Sequence, residues 1–214
     1  MFEYTLVLIY ICSIFLISIL FRNYFYDNKE VLRKIIHIGM GPLIPIAQFL
    51  KIDQKSALIF TGIISSIVFL NYLYKLFPTI EDVDRKSFGT LFYCLSLFVL
   101  IFLFWDKNPS SLISGFFIMT FGDGLAGLVG KNFNSMSWFL FKQKKSLFGT
   151  LTMFLTSLIV VSSIGYTNEF SFNTNYFTIA FVATVLEQFS VLGIDNLIVP
   201  IASAFCFNFF IINS

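Results

Sequence analysis

The chain has 214 residues, of which 57% are hydrophobic and only 12% charged. Its mean hydropathy is +0.84. Soluble domains carry about a quarter charged residues, so a chain this poor in charge cannot cover a water-facing surface and needs lipid around most of it. A net charge of +2 is too small to suggest nucleic acid binding. Cys12, Cys94 and Cys206 stand alone in apolar runs, with no metal spacing and no pattern of a disulfide framework.

Taken in chain order, apolar runs predict membrane-spanning helices at 4–21, 35–50, 57–76, 88–105, 112–130, 148–166, 176–192 and 197–212. A span needs about 20 mainly apolar residues. The last two either stand apart or form one long helix broken at Gly193-Ile194-Asp195-Asn196. The first run lacks a basic leader and a small-residue cleavage site, so it reads as a retained span. The expected fold class is all-α, a polytopic transmembrane bundle of seven or eight spans in one domain over 1–214.

Basic residues set the expected orientation. Alternate loops contain Arg22, Lys29, Arg33 and Lys34, then Lys75, Arg85 and Lys86, then Lys131, Lys142, Lys144 and Lys145, against Lys51, Lys55 and Lys107 on the other side. The N-terminus is expected outside and the richer loops in the cytoplasm. Asp195 and Asn196 fall on that same side.

Four segments there could carry chemistry. In Arg33-Lys34-Ile35-Ile36-His37, Arg33 and His37 share a helix face, which could hold a phosphate or anchor the span. Phe121-Gly122-Asp123-Gly124-Leu125-Ala126-Gly127-Leu128-Val129-Gly130-Lys131 places an acid inside a span, at about 2.5–3.5 kcal/mol on insertion scales. Gly122, Ala126 and Gly130 make a small-residue stripe suited to helix packing, which leaves Asp123 unexplained. That carboxylate could hold Mg²⁺, a hard cation that takes oxygen ligands and substrate phosphates, with Lys131 near a phosphate.

The third is a pair, Arg85-Lys86-Ser87-Phe88-Gly89-Thr90-Leu91 and Lys144-Lys145-Ser146-Leu147-Phe148-Gly149-Thr150-Leu151. Each puts a basic pair and a serine ahead of a helix start. Either these are ordinary caps, or two helix N-termini grip the phosphates of one ligand. The fourth joins Glu187 to Asp195 and Asn196. On a continuous helix the two acids lie about 12 Å apart at about 1.5 Å per residue, so they share an ion only if the helix breaks. Asp195 is the better metal ligand or base, while Glu187 either orients a group or pairs with a buried cation. Asp82 and Asp84 read as solvated loop charges.

There is no Walker A pattern, protein-kinase signature, His-Glu-x-x-His or serine-hydrolase elbow. The ordered set Arg33-Lys34 with His37, Gly89-Thr90 with Tyr93, Asp123-Gly124-x-Ala126 with Gly130, Lys145-Ser146 with Gly149-Thr150, and Asp195-Asn196 resembles the CTP-dependent lipid kinases. That family includes phytol kinases, dolichol kinases and CTP-dependent diacylglycerol kinases. Asn132-Phe133-Asn134 stands where dolichol kinases often have a further glycine, and the chain is short, so it is most similar to the compact phytol-kinase-like branch.

The resemblance implies transfer of the γ-phosphate of CTP to a membrane alcohol. It implies Mg²⁺ on Asp123 and Asp195, and catalytic roles for Asp123, Asp195, Lys145 and Arg33. Nucleotide contacts would come from Gly124, Ala126, Gly130, Lys131, Lys144, Ser146, Gly149, Thr150, Lys86, Ser87, Gly89, His37, Asn196 and Glu187. Expected partners are the lipid alcohol, the nucleotide and the bilayer. Two rival readings are a CDP-lipid synthase, which would need an acidic cluster and basic signature not found here, and a small ion-coupled transporter with broken helices.

Overall fold

The computed structural model describes residues 2–22, 29–74, 88–141, 143–171, 173–189 and 191–212, without the side chains of 22, 29 and 30. Helix α1 (Phe2–Arg22) precedes α2 (Lys29–Gly39), α3 (Leu43–Phe49), α4 (Gln54–Tyr74) and α5 (Gly89–Phe104). Helix α6 (Pro109–Phe117) runs through a π-helical stretch (Ile118–Asp123) into α7 (Gly124–Asn132). Strands β1 (Ser137–Leu140) and β2 (Gln143–Ser146) follow, then α8 (Leu147–Thr167), α9 (Asn175–Gln188) and α10 (Asp195–Phe207), which ends in a π-helical turn, Asn208–Ile212.

Five helical segments among the described residues are long and apolar enough to cross a membrane: Phe2–Phe21, Gln54–Tyr74, Pro109–Asn132, Leu147–Thr167 and Asp195–Ile212. The other expected spans come out shorter. The run at 35–50 breaks into α2 and α3, because Pro42 has no N–H to donate and sits between them at φ −63°. Helix α5 has 16 residues and α9 has 14. The last two runs are separate helices, since the chain turns through left-handed conformations at Leu192 and Gly193, with φ 54° and 86°.

The described residues are nearly all helical, as expected, with one short exception. Residues 137–146 form an antiparallel hairpin that pairs Trp138 with Lys145 and Phe139 with Lys144. Apolar-polar alternation in this segment is too short to separate a strand from a loop by sequence pattern.

Helix α10 packs on α5, α6 and α9, while α8 packs on α7 and α9. One core cluster gathers Leu100, Ile101, Leu112 and Phe116 with Ala204 of α10. A second gathers Met153, Val161, Ile179 and Phe207. The small-residue stripe is a packing seam. A Cβ on Gly130 would meet the Gly149 Cα at 3.4 Å, and one on Gly122 would meet the Met153 sulfur at 2.9 Å. Helices α7 and α8 therefore approach closely enough for backbones to touch.

The two ends of the bundle are chemically distinct. At one end Tyr4 Oη donates to Asp53 Oδ1 at 3.2 Å, and Trp105 Nε1 donates to the Ile52 carbonyl at 3.2 Å. Asp53 caps α4, accepting the Ser56 N–H at 2.9 Å, and that bond holds its carboxyl below the usual range. The opposite end holds the expected polar segments.

Candidate active site at one end of the bundle

The end of α2 nearest the break carries Lys34 and His37 toward the π-helical stretch. Lys34 is buried. Its Nζ donates to Asp123 Oδ2 at 2.6 Å and to the Asp123 carbonyl at 3.1 Å. A Cβ on Gly127 would lie 2.8 Å from the Lys34 Cε, so the glycine leaves the groove in which the lysine stem lies. His37 Nε2 is 3.0 Å from the Met119 carbonyl and 3.6 Å from Asp123 Oδ2. The Tyr93 ring packs edge-on to His37 at 4.8 Å. The small residues at 122, 126 and 130 thus face α8, while Asp123 is directed to α2.

A second cation–carboxylate pair repeats this geometry. Lys145 Nζ donates to Glu187 Oε1 at 2.5 Å and to the Glu187 carbonyl at 2.8 Å. Gln188 Nε2 donates to Glu187 Oε2 at 2.9 Å and to Thr150 Oγ1 at 3.1 Å, tying the end of α9 to the start of α8. The α8 start is capped as expected: Ser146 Oγ accepts the Gly149 N–H at 3.2 Å, and Thr150 Oγ1 donates to the Ser146 carbonyl at 3.0 Å.

The α10 start completes the cluster. Asn196 Nδ2 donates to the Gly89 carbonyl at 3.0 Å, and the Phe88 N–H donates to the Leu192 carbonyl at 3.0 Å. Asp195 lies within electrostatic reach of Asp123, Lys34, Lys145 and Glu187. Asp195 Oδ1 and Asn196 Oδ1 are buried with no hydrogen-bond partner among the described residues. Buried acceptors are ordinarily paired, so two adjacent unpaired oxygens point to a missing donor or cation.

No group of three or more His, Cys, Asp and Glu side chains among the described residues could hold a metal unaided. Mg²⁺ does not require one. It takes one or two protein oxygens and fills the rest with phosphates and water. The free oxygens of Asp195 and Asn196 fit that donor set. Asp123, expected to share the ion, has one carboxylate oxygen committed to Lys34.

The chain is 38% identical over 199 residues to the phytol kinase of Synechocystis sp., a match covering 91% of this chain and 85% of that protein. The chain belongs to the phytol kinase family. It is 27% identical to a probable chloroplastic phytol kinase of Triticum aestivum and 26% identical to probable phytol kinase 1, chloroplastic, of Glycine max. It covers 66% and 64% of those two plant proteins' lengths. No family model and no solved structure matches it.

Within this phytol kinase family member, the expected site residues fall into distinct places. Asp123 meets His37 and Lys34, Lys145 meets Glu187, and Asn196 meets Gly89, with Asp195 within electrostatic reach of Asp123, Lys145 and Glu187. Gly130, Ser146 and Gly149 form the α7–α8 contact, with Ala126 buried beside them. Gly124 packs on Ile38 of α2. Lys144 lies on the exposed face of β2, opposite to Lys145, and Lys131 is exposed at the end of α7. Arg33 is half-buried on α2. Gly89 and Gly149 open their helices on different partners, Asn196 and Gly130. Lys86 and Ser87, like Lys75, Asp82, Asp84, Arg85 and Lys142, lie outside the described residues. Sequence reasoning quoted Lys34 beside Arg33 without giving it a role, and passed over Gln188. The signal for Lys34 was a second cation beside Arg33, turned about 100° around the helix.

Proposed function

We propose that this chain is a membrane-integral lipid-alcohol kinase that transfers the γ-phosphate of a nucleoside triphosphate, CTP, to the hydroxyl of a long-chain isoprenoid alcohol of the phytol class. The observation that carries the reading is the convergence of Lys34–Asp123, Lys145–Glu187 and the unpaired Asp195 and Asn196 oxygens at one end of an apolar helical bundle. The kinase activity and alcohol class come from the printed name of the Synechocystis relative. The choice of CTP comes from the wider lipid-kinase resemblance.

In this reaction the alcohol oxygen bonds to the γ-phosphorus, the bond from that phosphorus to the bridging oxygen breaks, and the nucleoside diphosphate leaves. The transition state is loose, so catalysis depends on position and charge more than on a strong base. Asp195 and Asn196 would hold Mg²⁺, which supplies charge neutralisation on the phosphates. Lys145 and Lys34, each oriented by a carboxylate and a carbonyl, set positive charge around the phosphoryl oxygens. Arg33, half-buried beside Lys34, adds positive field at the rim. The first turn of α8 offers backbone N–H groups to the nucleotide. Asp195 also orients the acceptor hydroxyl and receives its proton.

The eleven basic residues that favour one side support a cytoplasmic location for this end of the bundle, with the N-terminus outside. The isoprenoid tail stays in lipid while the hydroxyl reaches the polar end.

The test is purified protein in liposomes with γ-labelled CTP or ATP and a panel of phytol, geranylgeraniol, dolichol and diacylglycerol. Labelled phytyl phosphate formed from γ-labelled CTP is the expected result. Absence of labelled lipid with every acceptor refutes the kinase reading. Label from the α-position appearing in lipid would identify nucleotidyl transfer instead.

A further inference from the structure

The β1–β2 hairpin has two chemically different faces, and only one belongs to the polar cluster. Register places Trp138 opposite Lys145 and Phe139 opposite Lys144. Because side chains alternate along a strand, Lys145 turns inward to Glu187 while Phe139 and Lys144 turn outward. Phe139 is 75% exposed, and Met136 and Phe141 at the ends of the strand are 76% and 60% exposed. Phe133, just before the hairpin, is 60% exposed. Four large apolar side chains so exposed within nine residues make the outside of the hairpin and the segment before it strongly apolar.

We propose that this outer face lies in the lipid–water interface of the leaflet at the polar end, as an interfacial foot. The placement follows from the chain: α7 ends at Asn132 and α8 starts at Leu147, and both belong to segments able to cross a membrane. A fourteen-residue gap between two such segments begins and ends at the bilayer edge. The hairpin is also held down there. The Leu147 N–H donates to the Met136 carbonyl at 2.9 Å, and the Phe141 ring at the tip packs on Phe189 after α9 at 6.1 Å. Large apolar side chains such as Phe beside lysines give the amphipathic surface that lies in membrane interfaces. Lys144 and Lys131 are exposed and suit headgroup phosphates, with their stems along the apolar surface. The occupant of this face is therefore phospholipid. Lipid contact and Lys145 then sit on opposite faces of one small rigid unit, so an alcohol carried in that leaflet meets the polar cluster at the hairpin. The interfacial placement does not depend on the kinase reading.

The test places an environment-sensitive NBD label on Phe139→Cys, in protein whose Cys12, Cys94 and Cys206 are changed to Ser, reconstituted in phosphatidylcholine–phosphatidylglycerol vesicles. The expected result is blue-shifted emission, with quenching by shallow doxyl-labelled lipid several-fold stronger than by aqueous iodide. Water-like emission with strong iodide quenching overturns the proposal. Weak quenching by both overturns it too, because the face would then be covered by protein, such as a second copy. Ser137→Cys, on the same exposed face of β1, gives an independent reading and decides the matter if the first variant does not fold.

Discussion

The Lys34 ammonium binds Asp123 twice, at 2.6 Å through the carboxylate and at 3.1 Å through the main-chain carbonyl. The carbonyl is within reach because Asp123 ends a π-helical stretch before α7. The same double grip recurs in Lys145 and Glu187, where the acid lies in the last turn of α9. In each case the acid stands at a helix junction or in a last turn, and one lysine takes its main-chain carbonyl together with the carboxylate.

Breaking the first pair from one side should be worse than removing it. Lys34→Met leaves a buried carboxylate unpaired and should destabilise the protein by about 3–5 kcal/mol, whereas Lys34→Met with Asp123→Leu should recover most of that loss. Thermal unfolding in detergent measures both. Neither variant should retain kinase activity. A double variant as unstable as the single one would remove the pair from the account.

The second pair separates chemistry from folding. Lys145→Gln keeps a donor to the Glu187 carbonyl but loses the charge, and should lower kcat/KM for the nucleotide by about 10–100-fold, or roughly 1.4–2.7 kcal/mol. Unchanged nucleotide affinity and turnover would leave Lys145 a purely structural residue.

Asp195 should show the opposite trade. A carboxylate oxygen buried without a partner costs stability, and functional residues often do. Asp195→Asn should abolish activity while raising stability by about 1–2 kcal/mol. Titrating Mg²⁺ with the wild-type chain should show strict dependence on a divalent ion, and a fully active Asp195→Asn protein would exclude the residue from the site.

The α7–α8 seam should tolerate no added volume. Gly130→Ala places a methyl 2.8 Å from the Ser146 Oγ and 3.4 Å from the Gly149 Cα. Overpacking of this kind destabilises by about 1–3 kcal/mol. Because Ser146 caps α8 and neighbours Lys145, the nucleotide KM should rise as well. A variant with wild-type stability and KM would show that the seam yields freely.

Sequence alone determined that this chain is apolar enough for a membrane, that its charges gather at one end, and that an acid lies inside an apolar run at Asp123. These follow from composition and from the free energy of burying charge, which are local properties. It also indicated the Ser146 cap and the small-residue seam, since both depend on spacing within one helix. Tertiary structure alone decided which cation meets which acid. Arg33 and Lys34 are chemically alike in sequence, and only the rotation of α2 against α7 turns Lys34 inward. Glu187 was open between ligand and ion pair until α8 and α9 came together and placed Lys145 on it. The hairpin at 137–146 likewise needed its partner strand, because neither half alternates long enough to declare itself. Where a charge lies in depth is set by transfer free energy and is legible along the chain. Its partner is set by how separate helices rotate and pack, which no single segment records.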